Sequence, residues 1–246
     1  PVAGDIHLDF DNRMAHISSW PLVDDGCEGC CWINAGADDG PADVDSGHGT
    51  HVLGSVLGNG ARSSGNIKGA AYQAIPIFQA VEQYVEFTPY CESLYRDPLP
   101  YQIFGLPVDL KDLFQEAYSW GSRIHSNSWG SPEDGAYTVD SEAVDQFVWD
   151  HPDMLILFSA GNAGTDSQMP QDGYVDGDSL DAPGTAKNAL TVGASDNVRT
   201  FGGIQTTWYN LQLQPQILNE WPLPPTSSDL VSDNSAELAA FSSRGP

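Results

Sequence analysis

The apolar and polar positions alternate between two periods along the chain. HVLGSVLG (51–58) spaces its apolar residues for a helix that opens near His48. IPIFQAV (75–81) is a compact apolar run and predicts a strand. LKDLFQEAYSWG (110–121) puts Leu110, Leu113, Phe114 and Ala117 at helical spacing and ends at Gly121. RIHSNSWG (123–130) predicts a strand with a glycine exit. SEAVDQFVWDH (141–151) predicts a second amphipathic helix, with its acidic residues early, where the helix dipole favours them. MLILFSAGN (154–162) and ALTVGAS (189–195) predict two further strands.

Strand, helix, strand, helix, strand in that order implies parallel βαβ units with right-handed crossovers, an α/β fold with a mostly parallel sheet. Ligands of such sheets bind beyond the carboxyl ends of the strands. Two segments interrupt the rhythm, residues 82–109 with four prolines and several aromatics, and residues 203–235 with WYNLQLQPQILNEWPLPPTSS. Both read as surface insertions whose aromatic side chains pack against or line something.

Composition narrows the function classes. Thirty-four Asp and Glu against nine Lys and Arg give a net charge of −25 and a pI near 4.1. A surface this acidic repels nucleic acid and anionic lipid, so neither is expected as a partner. The longest purely apolar run, MLILF, is far too short to span a bilayer. The N-terminal residues show no signal peptide. The four cysteines, at 27, 30, 31 and 91, lack the second pair that a zinc site needs. In a secreted chain they form disulfides, and a bridge from Cys91 to the 27–31 cluster is the favoured pairing. The expected setting is extracellular and the expected state a monomer.

Candidate chemistry gathers at the strand exits. SNSWG (126–130) and SAGNAG (159–164) put small residues where another backbone can approach closely. An Asn after a buried strand is a fixed amide donor facing a crevice. A His at a helix N-terminus is a candidate base, because the dipole there disfavours the imidazolium. A base, an amide donor and a groove for extended backbone are parts of an acyl-transfer site.

GHGTHVLGSVLGNG, SNSWG, SAGNAG, APGTAKNALTVGAS and FSSRGP occur in the order and at the intervals of the subtilisin-like serine proteases (subtilases, peptidase family S8). The resemblance runs from about Ile6 to Pro246. Within the family the RIHSNSWG and GTAKNA segments most resemble the KP-43-type alkaline proteases. The resemblance implies a three-layer fold, a mostly parallel sheet with helices on both faces. It implies a serine endopeptidase acting on proteins or peptides through an Asp/His/Ser triad, with His48 as general base and Asn162 as oxyanion donor. Ser128, Trp129 and Gly130 match the segment that pairs with substrate backbone. Ser159, Ala160 and Gly161 match the opposite wall of the primary specificity pocket, where small residues imply an open, apolar-leaning preference. His51 matches a structural histidine. No cofactor is implied for catalysis, and Ca²⁺ is implied as a structural ion.

Two departures qualify the match. The family's nucleophile lies in a Gly-Thr-Ser-Met-Ala-x-Pro stretch downstream of FSSRGP, and its Asp in an Asp-(Ser/Thr)-Gly turn before IHLDFDNRM. Neither motif occurs in order here; Ser167, Asp24 and Asp5 are poor substitutes. The 246 residues therefore read as a partial peptidase domain with the catalytic Asp and Ser outside them, and with no activity of their own. Two other readings remain: an inactive, peptide-binding relative, and an acidic calcium-binding module. For calcium, QDGYVDGDSLD (171–181) sets Asp172, Asp176 and Asp178 among glycines, although the full EF-hand pattern fails.

Overall fold

The computed structural model describes residues 6–24, 31–42, 46–95, 99–199, 201–211 and 220–245. In chain order the elements are β1 (His16–Ser19), α1 (His48–Leu57), β2 (Ile77–Ala80), β3 (Gln83–Tyr84), α2 (Pro89–Tyr95), β4 (Tyr101–Gln102), α3 (Lys111–Ser119), β5 (Ile124–Asn127), α4 (Val139–Asp150), β6 (Leu155–Ser159), β7 (Leu190–Val192) and α5 (Trp208–Leu211). They form two compact units, divided between Ser122 and Arg123. The strands longer than two residues pair in parallel, so the molecule is mixed α/β with parallel sheets and helices, as the alternation predicts and as a subtilisin-like fold requires. No helix among the described residues is long and apolar enough to cross a membrane.

In the first unit β1 pairs with β2 in register from His16↔Ile77 to Ser19↔Ala80. Helix α3 carries Leu113, Phe114 and Ala117 on its buried side, the positions that the helical spacing marks, and gives way at Gly121, whose φ is 94°. Its Glu116 reaches the β1–β2 pair, accepting hydrogen bonds from His16 Nε2 (3.0 Å), Ser18 Oγ (3.1 Å) and Gln79 Nε2 (2.6 Å). Burial pushes the Glu116 carboxyl up, but these three donors outweigh it and hold the group below its ordinary value. Residues 82–109 fold as the antiparallel pair β3–β4 with α2, joined to the segment before α1 by a Cys31–Cys91 disulfide. This is the favoured bridge between Cys91 and the cysteine cluster; Cys27 and Cys30 lie outside the described residues.

In the second unit the strand order is β5-β6-β7, all parallel. Helix α4 connects β5 to β6. A capping box between Thr138 and Ser141 starts it, Asp140 and Glu142 stand in its first turn, and Ser141, Val144 and Phe147 are its buried side. The segment 203–235 supplies Trp208 and Trp221, which meet edge to face at a centroid distance of 5.2 Å over Ala239 and Ala240. Its two tryptophans are thus packing residues, while Tyr209 is exposed.

Candidate active site

His48 is the first residue of α1. Gly47 before it turns the chain at φ 70°, and Ser46 Oγ accepts the His48 backbone N–H at 3.1 Å. The imidazole is exposed, as is that of His51 one turn later. The other end of α1 is firmly held. Arg13 Nη1 donates to the Leu57 and Asp9 carbonyls (2.9 Å each), and its Nη2 donates to those of Tyr72 and Ala74. The N–H groups of Gly69, Ala70 and Ala71 donate to the Gly58, Ser55 and Val56 carbonyls. A helix whose C-terminal carbonyls are satisfied in this way presents its first residue from a fixed support. Asp24 is described but lies in no element, and Asp5 lies outside the described residues.

In the second unit, two sequence motifs meet at the ends of β5 and β6. Asn127 closes β5, 2% exposed, and its Nδ2 donates to the Leu157 carbonyl at 3.0 Å, tying it to β6. Ser128, Trp129 and Gly130 follow, with the Trp129 ring edge to face against Phe158 at 5.2 Å. Ser131 then forms an antiparallel bridge with Ala182. Beyond β6, Ala160 and Gly161 are buried, and Asn162 is exposed. No described residue engages the Asn162 side-chain amide, which leaves both its N–H groups available to a ligand. Ser159, Ala160 and Gly161 therefore lie at the carboxyl end of one parallel strand, and Ser128, Trp129 and Gly130 at that of its neighbour.

The FSSR segment fixes the loop that carries Asn162. Ser243 N–H donates to the Gly161 carbonyl (3.1 Å), Ser243 Oγ accepts from Ala163 N–H (3.0 Å), and Gly164 N–H donates to the Phe241 carbonyl (2.9 Å). A methyl group on Gly164 would lie 2.2 Å from the Ala240 carbonyl oxygen, so only glycine fits where the two backbones cross. Trp221 Nε1 caps the arrangement by donating to the Gly164 carbonyl at 3.1 Å.

The carboxylates of the DGYVD loop are spread out. Asp176 Oδ2 accepts from the N–H groups of Ser167 (2.7 Å) and Gln168 (2.9 Å), and Asp172 Oδ1 from that of Tyr174 (3.0 Å). Asp178 is exposed at φ 55°. Ser167 Oγ also leans on Asp176, at 3.3 Å. Among the described residues, the three carboxylates that do come together, within 4.8 Å of one another, are Asp196, Asp233 and Glu237. Asp196 is 5% exposed and neither of its oxygens has a hydrogen-bond partner. Burial, followed by the charges of Asp229, Glu237 and Asp233, pushes its carboxyl up to about 6; Arg244 only partly opposes them. Asp196 also lines a cavity of about 400 Å³ with Arg199, Trp208 and Phe241. Sequence reasoning missed this cluster. Its one signal was the excess of acid around residues 229–237.

The Subtilase family model (Peptidase_S8) matches residues 22–246. The serine protease/ABC transporter B family protein tagD of Dictyostelium discoideum is 35% identical over 159 residues, covering 62% of this chain and 7% of that protein. The protein tagB of the same organism is 33% identical over 157 residues, again covering 62% and 7%. The chain thus spans about 7% of the length of the curated relatives it matches. Among solved structures, the prenylagaramide maturation protease PagA aligns with a TM-score of 0.40 at 20% identity, covering 77% of this chain and 56% of that chain.

Proposed function

The chain belongs to the Subtilase family, and from that premise we propose that the protein is a serine endopeptidase acting on protein or peptide substrates. In this reading His48 takes the proton from a serine hydroxyl and later gives it to the leaving amine. Asn162 donates a hydrogen bond to the oxygen on which negative charge develops. Ser128, Trp129 and Gly130 hold the substrate backbone as an added strand, and Ser159, Ala160 and Gly161 form the facing wall. The serine and aspartate partners belong to motifs that these 246 residues do not contain in family order. Kinship with the KP-43-type enzymes rests on the RIHSNSWG and GTAKNA segments.

The observation that carries this reading is the unengaged amide of exposed Asn162, held just past β6 by a loop pinned to FSSR. Peptide hydrolysis by the full protein tests it. His48→Ala should abolish turnover. Asn162→Ala should lower kcat by roughly 10²- to 10³-fold with KM nearly unchanged, since the amide serves the transition state more than the substrate. Undiminished hydrolysis by His48→Ala would overturn the assignment. Peptide binding with no turnover in the wild type would favour the inactive, peptide-binding relative.

In place of the Asp172, Asp176 and Asp178 loop expected from the sequence, we further propose a structural calcium ion at Asp196, Asp233 and Glu237. Their spacing of up to 4.8 Å suits an ion with oxygen ligands at about 2.4 Å, and the two orphaned oxygens of Asp196 are the donors such an ion lacks. Chelation should lower the Tm of the wild type and leave that of Asp196→Asn unchanged. An equal response in both proteins, or none in either, would reject the site. An extracellular location accords with the Cys31–Cys91 bridge, a bond that persists in oxidising compartments. The net charge of −25 supports the absence of a nucleic-acid or membrane partner; the proposed state is a monomer.

A further inference from the structure

The strand exits beyond β5 and β6 hold a charged group that their small residues do not announce. Asp181 is anchored there by its backbone, whose N–H donates to the Ala160 carbonyl at 3.0 Å, and by the neighbouring Ser131–Ala182 bridge. Its side chain fills the space between two glycines, one from each strand exit. A methyl group on Gly130 would lie 2.7 Å from Asp181 Cβ. One on Gly161 would lie 2.5 Å from both Cγ and Oδ2 of the same residue, and 2.7 Å from Oδ1. Gly161 moreover has φ 106°, a conformation that side chains disfavour. The carboxylate thus rests on bare backbone where any other pair of residues would exclude it.

Among the described residues nothing answers its charge. Among the described residues, no N–H, hydroxyl or cationic side chain bonds the Asp181 carboxylate. Other carboxylates of the unit behave differently: Asp176 and Asp166 each collect two backbone N–H groups on the same carboxylate. Withdrawn polar groups are normally paired, and a half-withdrawn carboxylate with no described partner beyond the ends of parallel strands is open to a ligand. Burial pushes the Asp181 carboxyl up, as it does for a carboxylate that lacks both full hydration and a counter-charge.

We propose that Asp181 recognises a cationic side chain of the substrate, lysine or arginine, seated between Ser128–Gly130 and Ser159–Gly161. The ammonium or guanidinium supplies the charge-assisted hydrogen bonds that no described residue supplies. An apolar side chain in the same place would strip water from the carboxylate and offer nothing in return, and an acidic one would be repelled. This replaces the apolar-leaning preference that the small residues alone suggest. It rests on the peptidase reading, since it names the residue next to the bond that is cut.

Hydrolysis of matched peptides differing only at that residue tests the inference. Arginine or lysine should exceed leucine or phenylalanine in kcat/KM by about 10²-fold, with glutamate the poorest. In Asp181→Asn the arginine-to-leucine ratio should collapse toward one, with Tm within a degree or two of wild type to show that the fold persists. Binding of benzamidine, measured by calorimetry, supplies a readout free of chemistry: it should be measurable in the wild type and lost in Asp181→Asn. Equal cleavage of arginine and leucine peptides, or a ratio that Asp181→Asn does not change, would overturn the inference and leave the peptidase reading intact. Absence of all cleavage would overturn the peptidase reading. Benzamidine binding would then decide whether Asp181 is a cation-recognition group at all, and no binding would end the proposal.

Discussion

Asp166 and Asp196 lie in the same unit and are almost equally withdrawn from water, at 1% and 5% exposure. Asp166 accepts the N–H groups of Gly173 (2.9 Å) and Asp172 (3.3 Å), while its own N–H donates to the Glu220 carbonyl (2.9 Å). Asp196 accepts nothing and faces Asp229, Asp233 and Glu237. The first carboxylate organises the loop that follows Asn162, and the second works against the packing around it. The contrast teaches that depth of burial does not distinguish a structural carboxylate from a ligand-binding one. The inventory of partners does.

The sharpest way to break the comparison is at the Asp166 loop. Gly173 stands at φ 86°, and a Cβ there would fall 1.9 Å from the Pro224 carbonyl oxygen. Gly173→Ala should therefore cost about 4 kcal/mol, read from denaturant midpoints, because backbone and not a flexible side chain must move. Asp166→Ala should cost about 3 kcal/mol, since the buried Gly173 N–H and the half-buried Asp172 N–H lose a charged acceptor. A loss below about 1 kcal/mol would show that Asp166 is as dispensable as the comparison says Asp196 is.

His125 extends the contrast to a side chain that burial keeps neutral. Burial lowers its pKa to about 4, although a hydrogen bond with Asn127 raises it. The unfolded chain takes up this proton below about 6.5 and the folded chain only near 4. The stability it supports is therefore full above about pH 6.5 and is lost as the pH falls toward 4, by about 3 kcal/mol in all. The difference between wild type and His125→Gln, followed from pH 7 to pH 4, should show that loss; parallel curves would refute it. The smallest effect is expected at Asp196. In excess chelator Asp196→Asn should be neutral or stabilising by about 1 kcal/mol, because it removes a charge that nothing opposes well. A loss comparable to that of Asp166→Ala would erase the distinction between the two carboxylates.

Hydrophobic period and local signals determined most of the framework. Leu113, Phe114 and Ala117 bury as their spacing demands, Gly121 ends α3, and the apolar runs at 75–81, 154–162 and 189–195 contain β2, β6 and β7. These features rest on contacts within a turn or a pleat, which neighbouring residues encode. HISS (16–19) carries no such period, and it became β1 because β2 offered a partner some sixty residues away. Motif order likewise marked His48, Asn162 and the two strand exits, because close backbone approach demands glycine and small residues at fixed positions. What only the tertiary structure decided is the fate of charge. Asp166, Asp181 and Asp196 are alike in sequence, acids in polar loops. One is satisfied by its own loop, one lies against two glycines from separate strands, and one meets Asp233 and Glu237 across a chain reversal. The energy of a carboxylate depends on every donor, charge and water within several ångströms, and those neighbours come from distant parts of the chain that only the finished fold brings together.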